Sequence, residues 1–127
     1  KLLIFIKFVI KLNEMKNIIL IPAVVSANNE KKLRNTPLIN KIYEYSINSW
    51  KHFAKKYDCQ VVVLDEPLMD TNVTSLAWQR YYALDLLEQS NIKYNQVLIV
   101  DADTIVHPNC PNFFELTTTF FVLVFTC

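Results

Sequence analysis

No glycine occurs among the 127 residues, where an average composition of roughly 7% would place about nine. Glycine lets backbone take positive φ or approach a phosphate closely, because it has no Cβ. Its absence removes the P-loop, the G-x-G-x-x-G dinucleotide turn, the G-x-S-x-G elbow, the kinase phosphate loop and the EF-hand loop. Lys, Asn and Ile are abundant while Arg occurs twice, a bias that AT-rich coding sequence produces. The missing glycine is therefore used only to exclude.

The length allows one ordinary domain, and 52% hydrophobic with 20% charged residues is the profile of a chain that buries a core. A net charge of +1 supplies no field for nucleic acid or an anionic membrane, so neither is expected as a partner. Cys59, Cys110 and Cys127 are odd in number and form no C-x-x-C pair, which points to a reducing, cytoplasmic compartment. His107 and Cys110, hemmed by Pro108 and Pro111, read as an ordinary loop rather than a metal pair, for want of further ligands.

Both ends differ from the middle. Lys1 to Leu12 is apolar, interrupted by Lys7 and Lys11, and too short for the about 20 residues of a membrane span. Residues 1–14 read as an apolar leader of upstream or fragment sequence, with Met15 as the natural start. The alternative is a signal anchor, which would place the protein in a Golgi-type lumen. Residues 117–127 (TTTFFVLVFTC) carry no charge and read either as a strand or as out-of-frame sequence.

Between them the hydrophobic period switches in a regular order. Asn17 to Val25 is a continuous Ile/Val-rich run, as in a strand buried on both faces. Thr36 as N-cap and Pro37 at the first helical position open a helix whose stripe is Ile39, Ile42, Tyr43, Ser46, Trp50, Phe53 and Tyr57. Cys59 to Leu64 predicts a second strand ending at Asp65, Glu66 and Pro67. Ser75 to Gln89 predicts a second helix with Ala77, Tyr81, Leu84 and Leu87 on one face, and Gln96 to Val100 a third strand. Trp50, in the first stripe, and Trp78, opening the second helix, read as packing residues. Strand, helix, strand, helix, strand argues for an α/β domain over residues 15–116 with an open, mostly parallel sheet and right-handed crossovers. Ligands of such sheets bind beyond the carboxyl ends of the strands. There the sequence places Pro22 to Ser26, Asp65 with Glu66, and Asp101 with Asp103.

Two aspartates one residue apart past a buried strand disfavour each other's charge. A divalent cation removes that cost, and hard carboxylate oxygens suit Mn²⁺ or Mg²⁺ with positions left for water and phosphate. The other reading of the pair is a strand-end turn, where Asp is common.

The string AWQRYYALDLLEQSNIKYNQVLIVDADTIVHPNCPNFFEL, residues 77–116, resembles the heart of GT-A-fold glycosyltransferases, in particular glycogenin-like retaining enzymes and α-galactosyl and mannosyl transferases. Asp101, Ala102, Asp103, Thr104, Ile105 and Val106 match that pattern position by position, and Phe113 to Leu116 resemble the acidic-aromatic segment after it.

The resemblance implies a Rossmann-like nucleotide-diphospho-sugar transferase fold, present here as its amino-terminal, nucleotide-binding portion. It implies that Asp103 binds Mn²⁺ or Mg²⁺, and that Asp101 contacts the ion or the donor's ribose. Pro22, Ala23, Val24 and Ser26 would line the base, with Ala102 also at the donor. Asp65 would bond base or ribose, or simply end its strand. Arg80 would face the diphosphate, or be a solvated helix position. The donor would be a UDP- or GDP-sugar and the acceptor an unspecified glycan, protein or lipid. The family's catalytic groups lie well after D-x-D, where 24 residues follow Asp103, so no catalytic residue is assigned. Two other readings stand beside it. One is a haloacid dehalogenase-type phosphatase with Asp101 as nucleophile and Asp103 as acid/base, although Gly and then Thr or Val usually stand where Thr104 and Ile105 do. The other is a non-catalytic remnant or binding module.

Overall fold

A computed structural model of the protein describes residues 15–23, 37–65, 67–70, 72–75, 78 and 80–116, with side chains of the first helix from Tyr43 onward. The elements follow in the order β1 (Lys16–Pro22), α1 (Pro37–Lys56), β2 (Gln60–Leu64), α2 (Ala83–Gln89) and β3 (Tyr94–Ile99). Short 3₁₀ turns at Arg80–Tyr82 and Phe113–Glu115 precede α2 and follow β3. The leader, residues 24–36 with Val24 and Ser26, and the tail 117–127 lie outside the described residues.

The three strands form one parallel sheet in the order β2-β1-β3, as the alternation of strand and helix predicts. β1 is central and apolar on both faces, and its alternate residues serve two cores. Ile18 and Leu20 pack with Val62, Leu64, Val97, Ile99 and the α2 residues Ala83, Leu86 and Leu87. Ile19 and Ile21 pack with Leu98, Val100, Ala102, Val106, Phe114 and the α1 residues Trp50, Phe53 and Ala54. The helices therefore cover opposite faces. That follows from the strand order, because the two crossovers run in opposite directions along the sheet and share one hand.

β3 pairs with β1 through a bulge. Lys16 faces Tyr94, yet Ile18 faces Val97, so β3 holds one extra residue there. Simple alternation would turn Tyr94 away from the face of Val97 and Ile99. The bulge restores it to that side, where it packs against the α2 core.

The chain also terminates its helices without glycine. Asp58 and Asn91 take positive φ (51° and 53°), the left-handed conformation that glycine usually supplies after a helix. After α1 the Cys59 amide donates to Ala54 O (2.8 Å). After α2 the Ile92 amide donates to Leu87 O and that of Asn91 to Glu88 O, both at 3.0 Å. The second pattern is a complete Schellman motif, with Ile92 and Leu87 in the same core cluster.

The second helix departs from the reading of one element over Ser75–Gln89. Arg80–Tyr82 is 3₁₀, and the regular α-helix starts at Ala83. Three residues per turn advance the side chains faster than 3.6 do, so the buried face is Ala83, Leu86 and Leu87. Leu84 is only partly buried and Tyr81 is exposed. Trp50 is a core residue, but Trp78 is 64% exposed and rests against Tyr81 with ring centroids 5.5 Å apart. No helix among the described residues is long and apolar enough to cross a membrane.

Candidate functional site

Asp101 follows β3 after Val100, at the carboxyl end of the sheet. β1 pairs with β3 as far as Leu20 and Ile99, and its last two residues, Ile21 and Pro22, pair with Val63 and Leu64 of β2. Here the strand order reverses, the β1/β3 crevice where open α/β sheets bind ligands. Pro22 and Ala23 are half-buried on the β1 side of it, and the Ala23 amide donates to Leu64 O (2.8 Å). Asp65 is exposed at the exit of β2. β1 lies between it and β3, so two strand spacings of about 4.8 Å each separate it from the Asp101 strand. Pro22 and Ala23 thus adjoin the end of β2, where Asp65 follows, and Asp101 stands beyond β3 on the other side of β1.

D-A-D-T is a tight turn. Thr104 donates to Asp101 O twice, through its amide (3.1 Å) and through Oγ1 (2.6 Å). Ala102 points inward, buried in the α1 core with Val100 and Val106. Asp103 is exposed and Asp101 half-buried. A small apolar residue thus separates the two acids and packs into the core. Arg80, on the 3₁₀ turn before α2, donates from Nη1 to Asp101 Oδ1 at 2.8 Å, and the two side chains are only 19% and 24% exposed. Arg80 is thus ion-paired and mostly shielded from water, on a 3₁₀ turn rather than at a solvated helix position.

The turn is held from the far side by α1. Ser46, fully buried in the apolar stripe, donates to Thr104 O at 2.5 Å. Trp50 Nε1 donates to Thr104 Oγ1 (3.2 Å). Ser49 Oγ accepts the Val106 amide (3.1 Å) and donates to Ser46 O (2.7 Å). Farther along, Lys56 Nζ donates to Pro108 O (3.0 Å) and Tyr57 Oη to Cys110 O (2.7 Å). Phe113 closes the run by stacking on Phe53, centroids 5.2 Å apart. Ser46, Ser49 and Thr104 were not singled out as site residues by sequence reasoning. A serine within a stripe of Ile, Tyr, Trp and Phe was the available signal, since a buried hydroxyl requires a partner.

His107 and Cys110 close a turn. The Cys110 amide donates to His107 O (3.0 Å) and the Asn109 amide to His107 Nδ1 (3.1 Å). A cavity of about 540 Å³ lies between α1 and this loop, lined by Ser49, His52, Phe53, Lys56, Ile105 and Pro108 among others. It contains neither aspartate of the turn.

As a donor set for a divalent ion the turn offers two hard carboxylates. No group of three or more His, Cys, Asp or Glu side chains gathers among the described residues. Two carboxylates suit Mg²⁺ or Mn²⁺ when phosphate oxygens and water complete the coordination, and do not suit an ion needing an all-protein cage. Comparison with protein-family models, with curated proteins and with solved structures returns no significant match to this chain.

Proposed function

We propose that the chain is the nucleotide-sugar-binding portion of a divalent-metal-dependent glycosyltransferase of the GT-A type, with a UDP- or GDP-sugar as donor. One observation carries the reading. The D-A-D-T turn stands beyond the carboxyl end of β3, beside β1 at the reversal of strand order, with a guanidinium on its first carboxylate. When bound, Mn²⁺ or Mg²⁺ supplies Lewis-acid stabilisation of the leaving diphosphate.

The chain's own residues divide the remaining work. Asp103, exposed, presents its carboxylate to the ion, and Asp101 adds a second from the turn. Arg80 clamps the diphosphate with a charged fork suited to phosphate oxygens. Pro22 and Ala23 flank the base. Asp65, a strand away, reaches the donor only through the ribose or base.

Calorimetry of the full chain with UDP and with GDP tests this. Binding is expected only with Mn²⁺ or Mg²⁺ present, and at least about tenfold weaker in D103A, the loss of one charged ligand being of that order. A folded protein that binds neither nucleotide in the presence of metal overturns the reading. Hydrolysis of an aryl phosphate by the same preparation would replace it with the phosphatase.

A further inference from the structure

We propose that the cavity between α1 and residues 105–108 is a binding site for a small apolar carboxylate, with its ring or short chain on the cavity floor and its charge at Lys56. The site contains neither aspartate of the turn and does not rest on the glycosyltransferase reading.

α1 supplies one wall through its period. Ser49, His52, Phe53 and Lys56 follow the spacing i, i+3, i+4 and i+7 and line one side. Two hydrogen bonds tie that wall to the loop: Ser49 Oγ accepts the Val106 amide (3.1 Å), and Lys56 Nζ donates to Pro108 O (3.0 Å). All four tied residues line the cavity, and the ties stand about 10 Å apart along α1 at 1.5 Å per residue. The loop is braced again by its own turn, where the Cys110 amide donates to His107 O at 3.0 Å. The floor is equally fixed. Phe53 and Val106 are buried, and the Phe53 ring is gripped by Trp50, Tyr57 and Phe113 at centroid distances of 5.6, 4.7 and 5.2 Å. A cavity of about 540 Å³ whose walls are held at this separation is already formed, and its volume is that of a small-molecule site.

The lining selects the ligand. Ile105 is 67% exposed, apolar surface that a ring or branched chain would cover. None of the described residues lining the cavity is acidic. The Ser49 hydroxyl is already committed, accepting the Val106 amide and donating to Ser46 O. Lys56 places one of its three donors on Pro108 O, and its ammonium lies 4.9 Å from the centre of the Tyr57 ring, so the charge is held in place with two donors left over. His107 accepts the Asn109 amide at Nδ1, which leaves the ring hydrogen on Nε2 as a donor. His52 brings a second imidazole from the opposite wall. One ammonium with two imidazoles suits a carboxylate, which takes one full charge and several N–H donors. Phosphate is served best by the planar fork of arginine, which the described lining lacks.

The test is a titration of the full chain, followed through its backbone amide resonances by heteronuclear NMR, with hydrocinnamate, the uncharged hydrocinnamamide and acetate as probes. Hydrocinnamate is expected to shift the resonances of Ser49 to Lys56 and of residues 105–108 saturably, with a dissociation constant of about 1 mM or below for a ligand of this size. The amide should bind about three- to fivefold more weakly, the order for an exposed ion pair, and acetate should not saturate. Lys56→Met keeps the length of the stem without its charge, so it should weaken the acid by that same factor and leave the amide within about twofold of wild type. A lysine that only closes the cavity would weaken both alike, and that result overturns the assignment of the charge. Ile105→Glu, at an exposed position, should weaken the acid at least about threefold, and an unchanged affinity overturns the site. Circular dichroism establishes that both variants fold, and should one not fold the other decides. Shifts in wild type that never saturate, or that fall elsewhere on the chain, overturn the proposal, as does an amide that binds as tightly as the acid. Shifts of the same resonances with protein concentration alone would assign this face to a second copy of the chain and overturn it too.

Discussion

Thr104 carries a single hydroxyl that donates to Asp101 O and accepts from Trp50 Nε1. A valine has the same shape without either capacity, and it would leave a buried indole N–H unpaired beside the carboxylate turn. Thr104→Val is expected to cost about 1–3 kcal/mol, the penalty for orphaning a buried donor. Thr104→Ser should recover most of it, and urea unfolding of the two variants checks both. The threonine was legible as part of D-A-D-T, but its partner was not. Ser46 and Trp50 precede it by 58 and 54 positions, and no local pattern reports which hydroxyl a helix will meet across a fold. Trp78 shows the opposite failure. An aromatic that opens a helix reads as a packing residue, yet Trp78 lies in solvent and touches only the exposed ring of Tyr81 among the described aromatic contacts.

At the scale of elements, periodicity located β1, β2, β3 and α1 to within a residue or a few, because each buries a continuous run or one long stripe. It could not locate the bulge in β3 or the break before α2, since each depends on packing rather than on residue type. The absence of glycine, used at first only to exclude, acquires a structural counterpart at the helix ends. Asn91 occupies a left-handed cap without a side-chain role that replacement would remove. Asn91→Gly is expected to raise stability by about 0.5–1 kcal/mol, as cap optimisation commonly does, read as a shift of the urea midpoint at constant slope. Asp58 is a poorer site for the same change, because its carboxylate also holds Lys16 at 2.6 Å.

For the whole molecule, alkali should reveal one half-buried thiol. Burial chiefly, with help from the Asp58 charge and against that of Lys16, pushes the Cys59 thiol up to about 11. The folded protein thus keeps a proton that the unfolded chain releases at the ordinary thiol value of about 8.5–9. Stability from this source is whole below that value and is lost as pH rises through about 11. Urea midpoints measured from pH 8 to 11 should fall less steeply in Cys59→Ala than in wild type. Slopes that coincide would remove Cys59 from the account. The clamp of α1 on the carboxylate loop has a consequence in time as well as in space. Its hydrogen bonds join residues 52 to 58 positions apart. On a ribosome adding about 5–20 residues per second, the residues of α1 that hold the loop, Ser46, Ser49 and Trp50, are synthesised seconds before their partners Thr104 and Val106. The carboxylate turn and the loop after it are thus the last described piece to be made, and they complete the core in the same stroke.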